Sequence, residues 1–219
     1  SDTIKSILNS IPSLTLNQTI ASPIKHNVPW EEHNFQEFIE KYLNTFNVEH
    51  DTFFGYWHKI NRSWQGGIES AALTISTAIE GITKNYYSEY GLPDDEIVQQ
   101  AEEAKALIKN LELGQRIKSR IQSSIGQVKS SLYRLAKEGK VEKTLVDVWV
   151  SLRNKSAHAD NLDEDIEELQ AYIDDVYKCQ NLFNVLLLFK IGFNGQYQDL
   201  SKDGWVENSL ALDAEKAEK

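Results

Sequence analysis

Beyond Gly66-Gly67 apolar and polar residues recur along the chain with the period of an α-helix. Ile68, Ala72, Ile75, Ile79, Ile82 and Tyr86 follow at alternating steps of four and three, which lines them along one face. Gly91-Leu92-Pro93 stops that helix. Asp94 and Asp95 open the next, their carboxylates suited to the positive end of a helix dipole. After a break near Leu113-Gly114, the residues Ile117, Ile121, Ile125, Val128, Leu132 and Leu135 predict a further helix that ends at Gly139. Leu145, Val148, Trp149 and Leu152 predict a shorter one over 143–153. Past a loop at 159–162, Ile166, Leu169, Ile173, Val176, Phe183 and Leu187 mark a long helix bounded by Gly192 and Gly195.

The first fifty residues follow no such period. Pro12, Pro23 and Pro29 interrupt them, and Thr15, Asn17, Thr19 and Ser22 give loop or short-strand character. One helix is predicted there, over 34–46, with Asn34 as its cap and Phe35, Phe38, Ile39, Tyr42, Leu43 and Phe46 at helical spacing. An aromatic run, Phe53-Phe54-Gly55-Tyr56-Trp57, and then Trp64 lead to the paired glycines. Almost nothing after Gly67 reads as a strand, and the tail from Gln196 to Lys219 reads as frayed or weakly helical. The expected fold is all-α, an antiparallel bundle of about five helices with a less regular amino-terminal segment. The expected division is 1–50 as an irregular segment and the end of a preceding domain, 51–195 as the helical domain, and 196–219 as a tail.

Composition narrows the class. The chain has 219 residues, of which 41% are hydrophobic and 26% charged, as in ordinary globular proteins. No apolar run is long enough to cross a membrane, and the amino end lacks a signal peptide's basic start and apolar core. A single cysteine, Cys179, excludes an internal disulfide and fits a reducing compartment, so a cytoplasmic location is expected. Methionine is absent, even at position 1, which predicts a piece of a larger parent chain. A net charge of −10 excludes coating of nucleic acid through bulk electrostatics. The charge is uneven, however. Residues 115–143 carry eight basic side chains (Arg116, Lys118, Arg120, Lys129, Arg134, Lys137, Lys140 and Lys143) against Glu138 and Glu142, a local balance of +6. Residues 160–175 are acidic with no Lys or Arg. A basic run is either a solvated helix face or an RNA-facing strip, in which Arg116, Lys118, Arg120, Lys129 and Arg134 are the candidate contacts.

The segment richest in chemistry is Trp149-Val150-Ser151-Leu152-Arg153-Asn154-Lys155-Ser156-Ala157-His158. Arg is permanently charged and forks two donors onto phosphate oxygens. His gives and takes protons near neutrality, and Asn can hold an imidazole tautomer. Together they suffice for metal-free transesterification of RNA; the plainer alternative is a helix end capped by Arg and His. Positions five apart on an intact helix are rotated by about 140°. Arg153 and His158 therefore meet one phosphate only if the helix breaks near Ser156, or if two chains bring their segments together across a two-fold axis. Both are expected.

An Arg-Asn-x-x-x-His segment after an amphipathic helix, followed by an acidic loop and a long closing helix, resembles the HEPN superfamily. Leu152-Arg153-Asn154-Lys155-Ser156-Ala157-His158, then Asp163-Glu164-Asp165 and the closing Leu186–Phe193, are similar to the Apea-like HEPN subgroup of bacterial defence proteins. The resemblance spans about residues 53–195. It implies a small helical bundle, a homodimer with its site at the interface, and ribonuclease activity needing no cofactor or metal. It also implies Arg153 and His158 as the catalytic pair and Asn154 as their support. Some family members are inactive, so a catalytically silent module binding a protein partner or nucleotide stands as the alternative.

Elsewhere the readings are structural. His26, His33, His50 and His58 lack Cys or carboxylate partners at ligand spacing. Glu80 reads as a solvated helix carboxylate, Cys179 as a buried thiol, and Tyr86, Tyr87 and Tyr90 as helix-end packing rather than base-stacking groups. The glycine pairs lack the Lys and Ser/Thr of a phosphate loop.

Overall fold

The computed structural model describes residues 24, 32–46, 52–91, 95–109, 111, 114–118, 128–158 and 166–210, apart from the side chains of 32–33, 95–98 and 156–158. Seven α-helices and a short hairpin organise these residues: α1 (Glu32–Thr45), α2 (Thr52–Ser63), α3 (Ile68–Tyr86), α4 (Asp95–Leu107), α5 (Val128–Lys137), α6 (Lys143–His158), α7 (Ile166–Lys190), β1 (Gln196–Gln198) and β2 (Glu207–Ser209). The fold is an all-α helical bundle.

The helical stripes form its core. Ala71, Ala72, Ile75, Ala78, Ile79 and Ile82 of α3 are fully buried, as the step of three and four requires. Helix α7 is buried on every side from Cys179 to Leu188, the pattern of a helix at a bundle's centre. Phe53 and Ile60 of α2, Leu132 and Leu135 of α5, and Leu145, Val146, Trp149 and Leu152 of α6 complete the cluster. Helices α2 and α3 are an antiparallel pair, with Phe53 stacked on Tyr86 at one end and Gly66 against Ser70 at the other.

Helices α5 and α7 end by the same device. At Gly139 (φ 75°) and Gly192 (φ 65°) the backbone turns left-handed. In each case two amides reach back to the final carbonyls: Gly139 to Ala136 and Lys140 to Leu135, Gly192 to Phe189 and Phe193 to Leu188. A side chain at that φ is strained, which is why the stops fall on glycine.

Several elements differ from the sequence expectation. The aromatic run at 53–57, to which the sequence assigns no element, is the first half of α2, because Phe53 and Ile60 find a buried face despite Gly55. Helix α1 begins at Glu32, so Asn34 lies inside it, and its side-chain amide donates instead to the Gln196 carbonyl at 2.7 Å. Helix α6 runs to His158, well past the end of its apolar stripe. Of the basic helix only 114–118 and Val128–Lys137 are described, and Ile117 is partly exposed; Ile121 and Ile125 lie outside the described residues.

The tail is neither frayed nor helical over 196–209. Strands β1 and β2 pair antiparallel, with Gln196 opposite Ser209 and Gln198 opposite Glu207. Tyr197 and Leu200 are buried. Asp199, 1% exposed, accepts from Asn181 Nδ2 of α7 at 2.8 Å, the Ser201 amide at 2.9 Å and Asn208 Nδ2 at 3.2 Å. A buried carboxylate is tolerated only with partners of this kind.

Candidate active site

Helix α6 carries the Arg-Asn-x-x-x-His segment on its last turns. Leu152 is buried, while Arg153, Asn154 and Lys155 on the following turn are exposed. Trp149, one turn earlier, is buried, and its indole Nε1 donates to the Ser76 carbonyl of α3 at 3.2 Å. That bond fixes α6 against α3 and presents the indole ring beneath Arg153, whose guanidinium carbon stands 5.9 Å from the ring centroid.

The second anchor of Arg153 is a carboxylate from α3. Nε donates to Glu80 Oε2 at 3.1 Å, while Lys84, one turn farther on α3, donates to Glu80 Oε1 at 2.6 Å. The exposures are unequal: Arg153 at 52% and Lys84 at 61%, against 27% for Glu80. The acid is thus tucked between two cations whose heads remain in water. Lys84's hydrogen bond, aided by the charge of Arg153, holds the Glu80 carboxyl below its usual range against the opposing effect of burial. Two cations thus share one carboxylate where α3 meets α6.

The sequence reads Glu80 as a solvated carboxylate and does not single out Lys84. The available signal is their spacing of four on one helix face. Nothing in the sequence marks the long-range contact with Arg153.

The helix is continuous through Ser156 to His158, so the expected break near Ser156 is absent. The favourable i→i−4 ladder runs on through Asn154-Lys155-Ser156-Ala157, none of which forbids helix. The side chain of His158 lies outside the described residues; its backbone closes α6. Within one chain the two positions are therefore rotated by about 140° along a single helix.

Three cations of the basic strip are paired with acids. Arg134 faces Glu138 at 3.6 Å, Lys140 faces Glu138 at 3.0 Å and the Tyr90 hydroxyl at 2.9 Å, and Lys143 pairs with Asp147 at 2.7 Å. Lys129 is exposed, 5.8 Å from the Tyr133 ring, whose hydroxyl donates to the same Asp147. Arg116 is exposed and Lys118 half-buried, while Arg120 lies outside the described residues.

The remaining candidates are structural. Tyr87 is buried and its hydroxyl donates to the Leu186 carbonyl; Tyr86 stacks on Phe53. Cys179 is fully buried and burial pushes its thiol far up, which removes the thiolate needed for chemistry. No cluster of three His, Cys, Asp or Glu side chains capable of holding a metal occurs among the described residues, and no described helix is long and apolar enough to cross a membrane. Comparison with protein-family models, curated proteins and solved structures finds no match.

Proposed function

We propose that the chain is a metal-independent endoribonuclease of the HEPN kind, working as a homodimer in the cytoplasm as an effector of bacterial antiviral or toxin-type defence. The observation that carries this reading is the guanidinium of Arg153, half exposed at the end of α6, braced by Trp149 and Glu80 beside the second cation Lys84. A fixed, charged fork in that setting suits the non-bridging oxygens of a phosphodiester.

In the proposed reaction the ribose 2′-oxygen attacks the adjacent phosphorus. The new 2′-O–P bond forms as the P–O5′ bond breaks; one imidazole takes the 2′-OH proton and a proton is delivered to the leaving 5′-oxygen. Arg153 stabilises the charge gathering on the phosphoryl oxygens, at about 3 kcal/mol per donor, and Asn154 supports the imidazole. The products are a 2′,3′-cyclic phosphate and a 5′-OH; DNA, without the nucleophile, is spared. Because α6 is unbroken, His158 of one protomer serves the Arg153 of its partner across a two-fold axis.

The test is incubation with total RNA in EDTA, beside Arg153→Ala and His158→Ala. Cleavage by the parent chain alone, with cyclic-phosphate ends, supports the enzyme; equal cleavage by all three is contamination. Activity lost in chelator and restored by Mg²⁺ rules the chemistry out. The second reading is a silent module binding a protein or nucleotide. It is favoured by one observation, that Glu80 already occupies an edge of the Arg153 fork, and silence from all three preparations supports it.

A further inference from the structure

Two apolar patches of opposite charge lie open to solvent in one protomer. The first is the far end of α4. None of the described side chains of α4 is buried, and at its end Leu107 is 83% exposed. The chain turns back there. The Leu111 amide donates to the Ile108 carbonyl at 3.1 Å and the Gly114 amide to the Leu111 carbonyl at 2.8 Å. A Cβ at position 114 would meet the Ile108 carbonyl oxygen, so the close turn requires glycine. Leu111 and Ile117, on either side of it, are exposed as well. Residues 107–118 carry Lys109, Arg116 and Lys118 against Glu112 alone, three minus one, a balance of +2.

The second patch is the start of α7. Ile166, Leu169 and Ile173 follow at steps of three and four and share one side of the helix. Farther along, α2 covers that side, and Trp64, the residue after α2, stacks on Tyr177 at 5.3 Å. Helix α7 begins about three turns before Tyr177, so its first turns reach past that cover. Ile166 is 81% exposed and Leu169 is exposed too. Residues 166–175 carry Glu167, Glu168, Asp174 and Asp175 with no cation, a balance of −4, and the next cation, Lys178, is set against Asp175.

Exposed apolar clusters mark interaction surfaces, and the charge around them selects the partner. Each patch here has the sign that the other lacks. Both stay exposed within one protomer, so the complement of each lies on another molecule. We propose that two copies of this chain join reciprocally through these patches. The α4 tip of each protomer packs Leu107 and Leu111 on Ile166 and Leu169 of its partner, with Lys109 and Arg116 beside Glu167 and Glu168. Under two-fold symmetry one such pairing occurs twice. Pairing each patch with its own copy would instead set like charges together. That the chain is a dimer rests on the reading given above; the inference names the surfaces that meet.

The experiment is sedimentation velocity on the full chain with one component fluorescently labelled. Leu107→Ser with Leu111→Ser, and separately Ile166→Ser with Leu169→Ser, should each raise the dissociation constant of the dimer at least about a hundredfold. Mixing is decisive. A dimer of either variant retains neither contact, whereas a mixed dimer retains one of the two. The labelled tip variant should therefore sediment as a dimer when the α7 variant is added, and as a monomer when more tip variant is added. A second set leaves the apolar side chains alone and reads the same pairing. Lys109→Glu with Arg116→Glu should weaken the dimer, as should Glu167→Lys with Glu168→Lys, and their mixture should restore it because both contacts again join opposite charges. A parent chain that stays monomeric overturns the proposal. So does a dimer that survives both serine pairs, or a pair of monomeric variants that stay monomeric when mixed. The nuclease reading fails separately. A dimer that behaves as expected in a chain that cuts no RNA keeps the contact and removes the nuclease; RNA cut by a dimer that neither serine pair weakens does the reverse.

Discussion

Two regions of this molecule carry clustered positive charge, and they hold it by different contacts. Along α5 and the turn into α6 the pairing is local: Arg134 and Lys140 share Glu138, and Lys143 has Asp147 four residues on. Where α3 meets α6, Arg153 and Lys84 divide a single carboxylate, Glu80. The first region is the more basic along the sequence; in the second, the Arg153–Glu80 pair joins two helices and the Trp149 ring lies beside the guanidinium. A guanidinium held by long-range packing is oriented as well as charged, so the proposed reading takes the second as the anion site.

The largest effect should come from Arg153. On the proposed reading, Arg153→Ala removes the fork that meets the phosphoryl oxygens and is expected to lower kcat by about 10²–10³-fold. Arg153→Lys should recover little of it, because a point charge cannot replace a planar fork braced on Trp149. Steady-state cleavage of a defined oligoribonucleotide reads both; a lysine variant within threefold of the parent would mean the charge alone matters.

Next is Glu80, which sharpens the comparison because it orients Arg153 while cancelling part of its charge. Glu80→Gln is expected to lower kcat about tenfold with KM unchanged, since a guanidinium freed to swing is misplaced for the transition state. A variant that instead cuts faster would show that Glu80 only neutralises. The same pair sets a pH dependence. A carboxyl held below its ordinary 4.5 stabilises the fold only when ionised. Its contribution is therefore whole above that value, fades as pH falls through the lower folded value, and is gone in stronger acid. Glu80→Gln should be less stable than the parent chain at neutral pH, by under about 1 kcal/mol for so exposed a pair. The gap should close below the folded value, as thermal midpoints across pH would record.

Lys84 follows. Lys84→Ala leaves Arg153 its own bond to Glu80 and removes an exposed charge, so KM should rise about threefold at low salt and the difference shrink at high salt. A fall in kcat instead of a rise in KM would assign Lys84 to the chemical step.

Much of the fold is legible in the sequence because burial follows period. The stripe from Ile68 to Tyr86 predicts α3, although the helix ends at Tyr86 and a 3₁₀ turn over Ser88–Gly91 precedes the Leu92-Pro93 stop, and the apolar run of α7 is unmistakable. Helix α2 escapes the pattern because Gly55 and crowded aromatics hide a stripe of only Phe53 and Ile60, and the hairpin because Gln-Tyr-Gln and Glu-Asn-Ser are short and polar. Its registration comes from Asp199 and Asn181, eighteen residues apart. At the candidate site the sequence marks Arg153 through its neighbours in the segment. The Arg153 bond to Glu80 and the Trp149 bond to Ser76 each span seventy-three residues and are set by packing, which no local pattern records.

The smallest expected effect is the most direct challenge to the comparison. Lys129→Ala together with Arg134→Ala removes two cations from the segment that composition marks as the RNA-facing strip. Arg134 is already set against Glu138, and Lys129 lies along the Tyr133 ring beside Asp147. On the proposed reading the substrate meets the Arg153 site, so their removal takes no partner from a phosphate and reaches that site only as screened charge. Cleavage and single-strand affinity should stay within a factor of two of the parent chain, and the salt slope should hold, whereas removing a cation that does bind a phosphate would flatten it by about 0.7. A tenfold loss of affinity with a flatter slope would reverse the order of the two regions. The strip on α5 would then hold the substrate and the Arg153–Glu80–Lys84 cluster would only join α3 to α6.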